Sequence, residues 1–291
     1  MNTLPQIPLP FFYAVSAVLG LFIGSFLNVV IRRLPRMIET AWRQDCRDFL
    51  DIAPATEPDP EPYNLIRPGS SCPQCDHRIT ALENIPVLSY LLLRGRCAGC
   101  NIRISFRYPL VEILTALLTV FVALKFGVSA QTLFACLFTW ALISLTFIDI
   151  DHQLLPDNIT LPCLWLGMLC NYFGVFTDLY SSMMGAVAGY GIFWLVYHCF
   201  KLITGKEGMG LGDLKLLAML GAWTGWQALV SIVFLSSLLG SLVGLYLVFF
   251  RRRPRSAPIS FGPYLALAGW LSLVWGLNLF DYVFLPGEKV I

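Results

Sequence analysis

Charge is what this chain lacks: Asp, Glu, Lys and Arg make up 13% of its 291 residues, whereas 57% are apolar. A soluble chain carries about 25% charged residues, so a soluble globular protein is excluded and a polytopic membrane protein is implied. The first ten residues hold no Lys or Arg. They make a poor n-region for a secretory signal, and the first apolar stretch is expected to be retained as a span. Histidine is scarce, three in all, and no HExxH, GxSxG or Walker loop occurs. The residues for metallopeptidase, serine-nucleophile and nucleotide-driven chemistry are therefore missing. His152 and His198 stand alone and read as structural. No glycine-rich turn follows a strand, so no Rossmann-type cofactor site is legible. A net charge of +2 is uninformative, and nucleic acid is not expected as a partner.

What is present is a series of eight apolar stretches of membrane-crossing length. They are Phe11–Ile31, Pro109–Phe126, Thr132–Ile150, Ile159–Phe176, Met183–Leu202, Leu214–Trp226, Leu229–Phe250 and Phe261–Phe284. The sixth is the shortest, with Gly221 and Gly225 blurring its end. The fold class predicted is an all-α polytopic membrane protein of about eight transmembrane helices, with a small extramembrane domain between the first and the second.

Basic residues orient the set. Eleven arginines lie between Arg32 and Arg107, Lys201, Lys206 and Lys215 flank the loop between spans five and six, and Arg251, Arg252, Arg253 and Arg255 fill the loop between spans seven and eight. Eight alternating spans place all of these on one side, which the positive-inside rule makes cytoplasmic; only Lys125 and Lys289 fall outside. The basic face at Arg251–Arg255 suits contact with anionic lipid. The acidic segment from Glu39 to Glu61 reads as an amphipathic helix over Ile38–Ile52 and an extended linker over Ala53–Pro62.

Four of the nine cysteines form two C-x-x-C pairs, Cys72/Cys75 and Cys97/Cys100, with twenty-one residues between them. Each pair supplies two thiolates from a tight turn, the pattern of a four-cysteine structural zinc site; a redox dithiol pair or incidental cysteines are the alternatives. A reducing compartment disfavours disulfides. His77 is surplus to a filled coordination sphere. Cys136, Cys163, Cys170 and Cys199 lie in apolar stretches and read as small buried hydrophobes.

Two aspartates lie where a bilayer makes a carboxylate expensive. Asp149 ends the third apolar run in Phe147-Ile148-Asp149-Ile150-Asp151, and Asp213 closes Gly208-Met209-Gly210-Leu211-Gly212-Asp213. Both map to the same membrane face. Taken singly, each favours a helix cap. Taken together, they suit acid–base chemistry: two close carboxyls share one proton, the ionised one deprotonates water, and the protonated one donates to a carbonyl oxygen. Glu112, early in the second span, is a further acid that could pair with an arginine, bind a substrate amine or mark a helix start.

With Gly210–Asp213 as a GxGD motif, Asp149 in its aspartate-rich run, Gly24–Pro35 and the paired C-x-x-C segment, the chain closely resembles the bacterial type IV prepilin peptidases, from about Phe11 to the last span. The resemblance implies a membrane aspartic endopeptidase with Asp149 and Asp213 as its catalytic pair. It implies removal of the leader from prepilins and type II secretion pseudopilins at the cytoplasmic face of the inner membrane, then N-methylation of the new amino terminus from S-adenosylmethionine. The implied layout is a first helix (1–31), a cytoplasmic domain with zinc at Cys72, Cys75, Cys97 and Cys100 (32–108), and a seven-helix protease domain (109–291). The S-adenosylmethionine site is placed at Leu93–Cys97, where Gly95 either lets the backbone approach a ligand or is a plain turn glycine. Rival readings are a proton-relay transporter, a zinc-binding scaffold whose acids are caps, and a GxGD protease acting on other signal peptides.

Overall fold

The computed structural model describes residues 8–51, 63–72, 74–206, 208–250 and 260–276. The predicted linker Ala53–Pro62, the cluster Arg251–Arg255, Lys289 and the end of the eighth stretch lie outside the described residues. Nine helices and no extended strand occur among the described residues: α1 (Leu9–Phe49), α2 (Leu88–Leu92), α3 (Arg107–Phe126), α4 (Ala130–His152), α5 (Asp157–Tyr172), α6 (Leu179–Thr204), α7 (Leu211–Thr224), α8 (Ala228–Phe249) and α9 (Gly262–Trp275). All but α2 fall on the eight predicted stretches. Five of them (α1, α3, α4, α6 and α8) are long and apolar enough to cross a membrane, and the chain is an all-α, multi-pass membrane protein. It divides into two compact units, Met1–Val128 and Ser129–Ile291.

In the first unit α1 runs for 41 residues, and Pro35 lies inside it without ending it. The amphipathic helix predicted from Ile38 is therefore the continuation of the first helix. Glycines let α1 and α3 approach closely. A Cβ on Gly20 would lie 2.6 Å from the Ala116 Cα, and one on Gly24 would lie 2.6 Å from the Glu112 Cα. Small residues four apart give this kind of backbone-to-backbone contact in membranes.

The second unit is built around α7. Leu214, Leu216, Leu217, Met219, Leu220 and Trp223 are all fully buried, because α5, α6, α8 and α9 all pack on this helix. A helix apolar all round is a core element, which explains why the sixth stretch is so short. Gly185 of α6 faces Gly221 of α7 backbone to backbone, and Gly189 meets the Leu217 carbonyl. At the far end of α7, Asn171 ties its last turn to the α5–α6 loop. The Asn171 amide donates to the Ala222 and Trp223 carbonyls at 2.9 and 3.2 Å, and its oxygen accepts from the Phe176 and Thr177 N–H groups. Cys136, Cys163 and Cys170 are buried as predicted; Cys199 is exposed instead, on α6.

Candidate active site and metal centre

Three helix ends meet at one end of the second unit. Helix α4 ends where Gln153 turns left-handed at φ 52°, one turn after Asp149. Helix α7 begins after Gly210, which puts Asp213 in its first turn. Helix α9 begins at Gly262, with Phe261 before it and a proline in its first turn. Asp149 and Asp213 are both buried.

Neither aspartate is an N-cap residue: Gly210 holds that position in α7, and Asp213, three residues on, accepts the Gly210 N–H on its carboxyl. Asp149 stands in the last turn of α4, the end of a helix that disfavours an anion. Compensation comes from α9: the Gly262 N–H donates to Asp149 Oδ2 at 3.0 Å, and an anion at a helix N-terminus is favourable. Ser260 donates its hydroxyl to the Asp149 backbone carbonyl at 2.8 Å.

The glycines explain how the ends fit. A Cβ at Gly262 would lie 2.6 Å from Asp149 Oδ2, and one at Gly212 would lie 2.9 Å from the Leu155 Cβ. Leu155 also reaches the Gly262 position with its Cδ2, so one side chain from the α4–α5 connection packs against both helix starts. Gly262, Ser260 and Leu155 are not visible as site residues in the sequence. The available signal was the Gly-Pro pair opening the eighth stretch, since proline favours the first helical turn. Two residues beyond Asp213, Lys215 forms an ion pair with Asp157 at 2.7 Å.

In the first unit Cys72, Cys75, Cys97 and Cys100 converge, with their sulfurs within 4.8 Å of one another. The two turns are built alike. Ser71 bridges Arg78, and Arg96 bridges Arg103. The Cys72 N–H donates to the His77 carbonyl, and the Cys97 N–H to the Ile102 carbonyl. Each turn is closed by a residue with left-handed backbone, Asp76 at φ 52° and Asn101 at φ 58°, residue types that tolerate it. Backbone N–H groups of Gln74 and then Cys75 pull the Cys72 thiol down to about 6. The four converging sulfurs could hold a metal ion. His77 is not part of the cluster; its Nε2 lies 3.2 Å from Glu83. The Thr80 N–H and His77 hold the Glu83 carboxyl below its usual range.

Beside the cysteine turns is a cavity of about 610 Å³, whose walls include Asn28, Arg32, Tyr90, Cys97, Tyr108 and Glu112. Gly95 adopts φ +67°, and a Cβ there would lie 2.9 Å from the Tyr90 ring. Gly95 is therefore a turn residue on which the wall residue Tyr90 rests.

Residues 18–126 match the family described as Bacterial Peptidase A24 N-terminal domain, and residues 136–245 match the Type IV leader peptidase family. The chain belongs to the type IV leader peptidase family. The two matches fall one in each unit. Three curated relatives bear the name prepilin leader peptidase/N-methyltransferase. That of Aeromonas hydrophila is 56% identical over 265 residues, 91% of each chain. That of Pseudomonas putida is 53% identical over 270 residues, 93% of each chain. That of Neisseria gonorrhoeae is 48% identical over 262 residues, 90% of each chain. No solved structure matches the chain.

Proposed function

We propose that this protein is a bifunctional membrane enzyme that removes the leader peptide of type IV prepilins and type II secretion pseudopilins and then methylates the new amino terminus with S-adenosylmethionine. The observation that carries the peptidase reading is the burial of Asp149 and Asp213 at helix ends that Leu155 links, through Gly262 beside Asp149 and Gly212 beside Asp213. Two buried carboxyls that share a site disfavour double ionisation, so the pair is taken to hold one proton. The ionised carboxylate takes a proton from water while the protonated one donates to the scissile carbonyl, and collapse of the tetrahedral species releases the leader. The Gly262 N–H fixes one Asp149 oxygen, which leaves its other oxygen for water.

Zinc is the metal that suits four thiolates in two tight turns, and its role is to order the segment between α1 and α3. Methyl transfer is assigned to the first unit, in the cavity beside that centre, with Gly95 acting through Tyr90. A boundary expected at residue 108 would separate α3 from the unit it packs in, so the cysteine-bearing, methyl-transferring part is taken as Met1–Val128 and the peptidase part as Ser129–Ile291. The clustering of basic residues supports a location in the inner membrane with the aspartates facing the cytoplasm, where a basic leader joined to an apolar helix would present its junction.

The test is the product mass after incubating purified enzyme with full-length prepilin, with and without S-adenosylmethionine. Wild type should remove the leader and add one methyl group only when the donor is present. Asp149→Asn and Asp213→Asn should each leave the prepilin intact; cleavage by both variants would remove the aspartic mechanism.

A further inference from the structure

Glu112 is the acid the peptidase chemistry does not use. It is 8% exposed, sits between one and two turns into α3, and lines the cavity of the first unit. Its Oε2 accepts the Val87 N–H at 2.7 Å, and the Ser25 hydroxyl also bonds its carboxyl. Both partners are neutral, and among the described residues no cation is paired with it. A buried carboxylate without a counter-charge is costly, and at membrane depth it marks a functional site.

The surroundings sharpen the case. Val87 is a β-branched residue at φ +59°, a strained conformation that surrounding structure must enforce. The Glu112 carboxylate holds that turn from one side. The backbone of Glu112 is fixed by the glycine contact with α1. The start of α3 is tied to α1 by Asn28, which donates to the Tyr108 carbonyl at 3.1 Å, and by Arg32, which donates to the Tyr108 hydroxyl at 3.0 Å. Glu83 is the other acid of the cavity wall, and it is engaged by Thr80 and His77. The cavity therefore holds one rigidly placed carboxyl with no ion-pair partner among the described residues, in a wall that also carries Arg32, Arg33, Arg36 and Arg103, and in a space of the size that binds small ligands or a peptide end.

We infer that Glu112 receives the primary ammonium of the freshly cut pilin and is the proton acceptor for its methylation. This rests on the methyltransferase reading above. The ammonium gives one proton to the Glu112 carboxylate. The neutral nitrogen then forms a C–N bond to the methyl carbon as the methyl–sulfur bond breaks and its electron pair stays on sulfur. The product is a secondary ammonium and a thioether, and the proton on Glu112 passes to water through the open side of the cavity.

The experiment compares the full-length enzyme with Glu112→Gln and Glu112→Asp. Glutamine keeps an acceptor for Val87 but has no charge; aspartate keeps the charge one methylene further back. Without methyl donor, wild type should bind a leaderless pilin roughly tenfold or more tightly than the same pilin acetylated at its α-amine, the size of a charge-assisted hydrogen bond. Glu112→Gln should erase that preference and Glu112→Asp should keep part of it. With S-adenosylmethionine and leaderless pilin, Glu112→Gln should methylate slowly at pH 7 and recover by about tenfold towards pH 9, as an α-amine of pKa about 8 loses its proton unaided. A Glu112→Gln enzyme that still prefers the free amine, or a rate defect that is flat with pH, overturns the inference. So does a variant whose only change is a higher KM for S-adenosylmethionine, which would give the ammonium to the donor's own amino-acid end. If wild type prefers the free amine yet transfers no methyl group, Glu112 stands as an amine receptor and the methyltransferase reading falls.

Discussion

Asp149 and Gly262 are joined across 113 residues by a backbone N–H on Oδ2, at a spacing that leaves no room for a Cβ. Gly262→Ala should therefore push the carboxylate aside. A displacement of about 1 Å at a reacting group costs on the order of a hundredfold in rate. Leader removal should fall by that order while membrane insertion and thermal unfolding change little. An alanine enzyme as fast as wild type would show that the α9 start does not set the position of Asp149.

Asn171 makes four hydrogen bonds from a buried position, two to the end of α7 and two to the α5–α6 loop. Asn171→Ala removes all four bonds; the Ala222 carbonyl keeps the Ser182 hydroxyl, while the Trp223 carbonyl and the Thr177 N–H lose this partner. Each buried group left unpaired costs about 1–3 kcal/mol, so thermal unfolding in detergent should drop sharply, by several degrees or more. Asn171→Asp keeps the two acceptor bonds and should lie between alanine and wild type.

The α6–α7 contact gives a paired test. Gly185 has the Gly221 backbone against it, whereas nothing lies within 4 Å of a Cβ at Gly191 on the same helix. Gly185→Ala should separate the helices and lower folded yield, because overpacking typically costs about 1–3 kcal/mol. Gly191→Ala should be neutral or slightly stabilising, by up to about 1 kcal/mol from helix propensity.

Stripping the cysteine centre should act selectively. Native mass spectrometry is expected to show one zinc ion per chain, and Cys97→Ser or a strong chelator should remove it. Residues 63–106 should then become sensitive to limited proteolysis, since little apolar core replaces the metal. Methyl transfer should be lost with it. A metal-free segment as protease-resistant as the parent would return the four cysteines to a purely local role.

Much of this was legible in the chain. Apolar stretches located eight of the nine helices found among the described residues, and the cost of burying charge singled out Asp149 and Asp213. Spacing alone paired the cysteines. What was hidden depended on contacts between distant segments. The first stretch was bounded at Ile31 because polarity rises at Arg32, but hydropathy reports where lipid ends and not where a helix ends; α1 continues to Phe49. The central position of α7 was hidden because a helix apolar on every face reads the same inside lipid as inside protein. Gly262 and Leu155 carry no chemistry of their own, so only the fold shows that they shape the carboxylate site. The likeness of the two cysteine turns lies in backbone bonds and the left-handed residues Asp76 and Asn101, which sequence identity does not display.

The fourteen residues of α7 have one more consequence. At 1.5 Å per residue the helix rises about 21 Å, short of a hydrocarbon slab about 30 Å thick. A helix this short would reach both lipid boundaries only where the bilayer thins around it. Leader removal consumes a water molecule, and a site in the first turn of such a helix would draw that water from a depression in the lipid surface rather than from a pore.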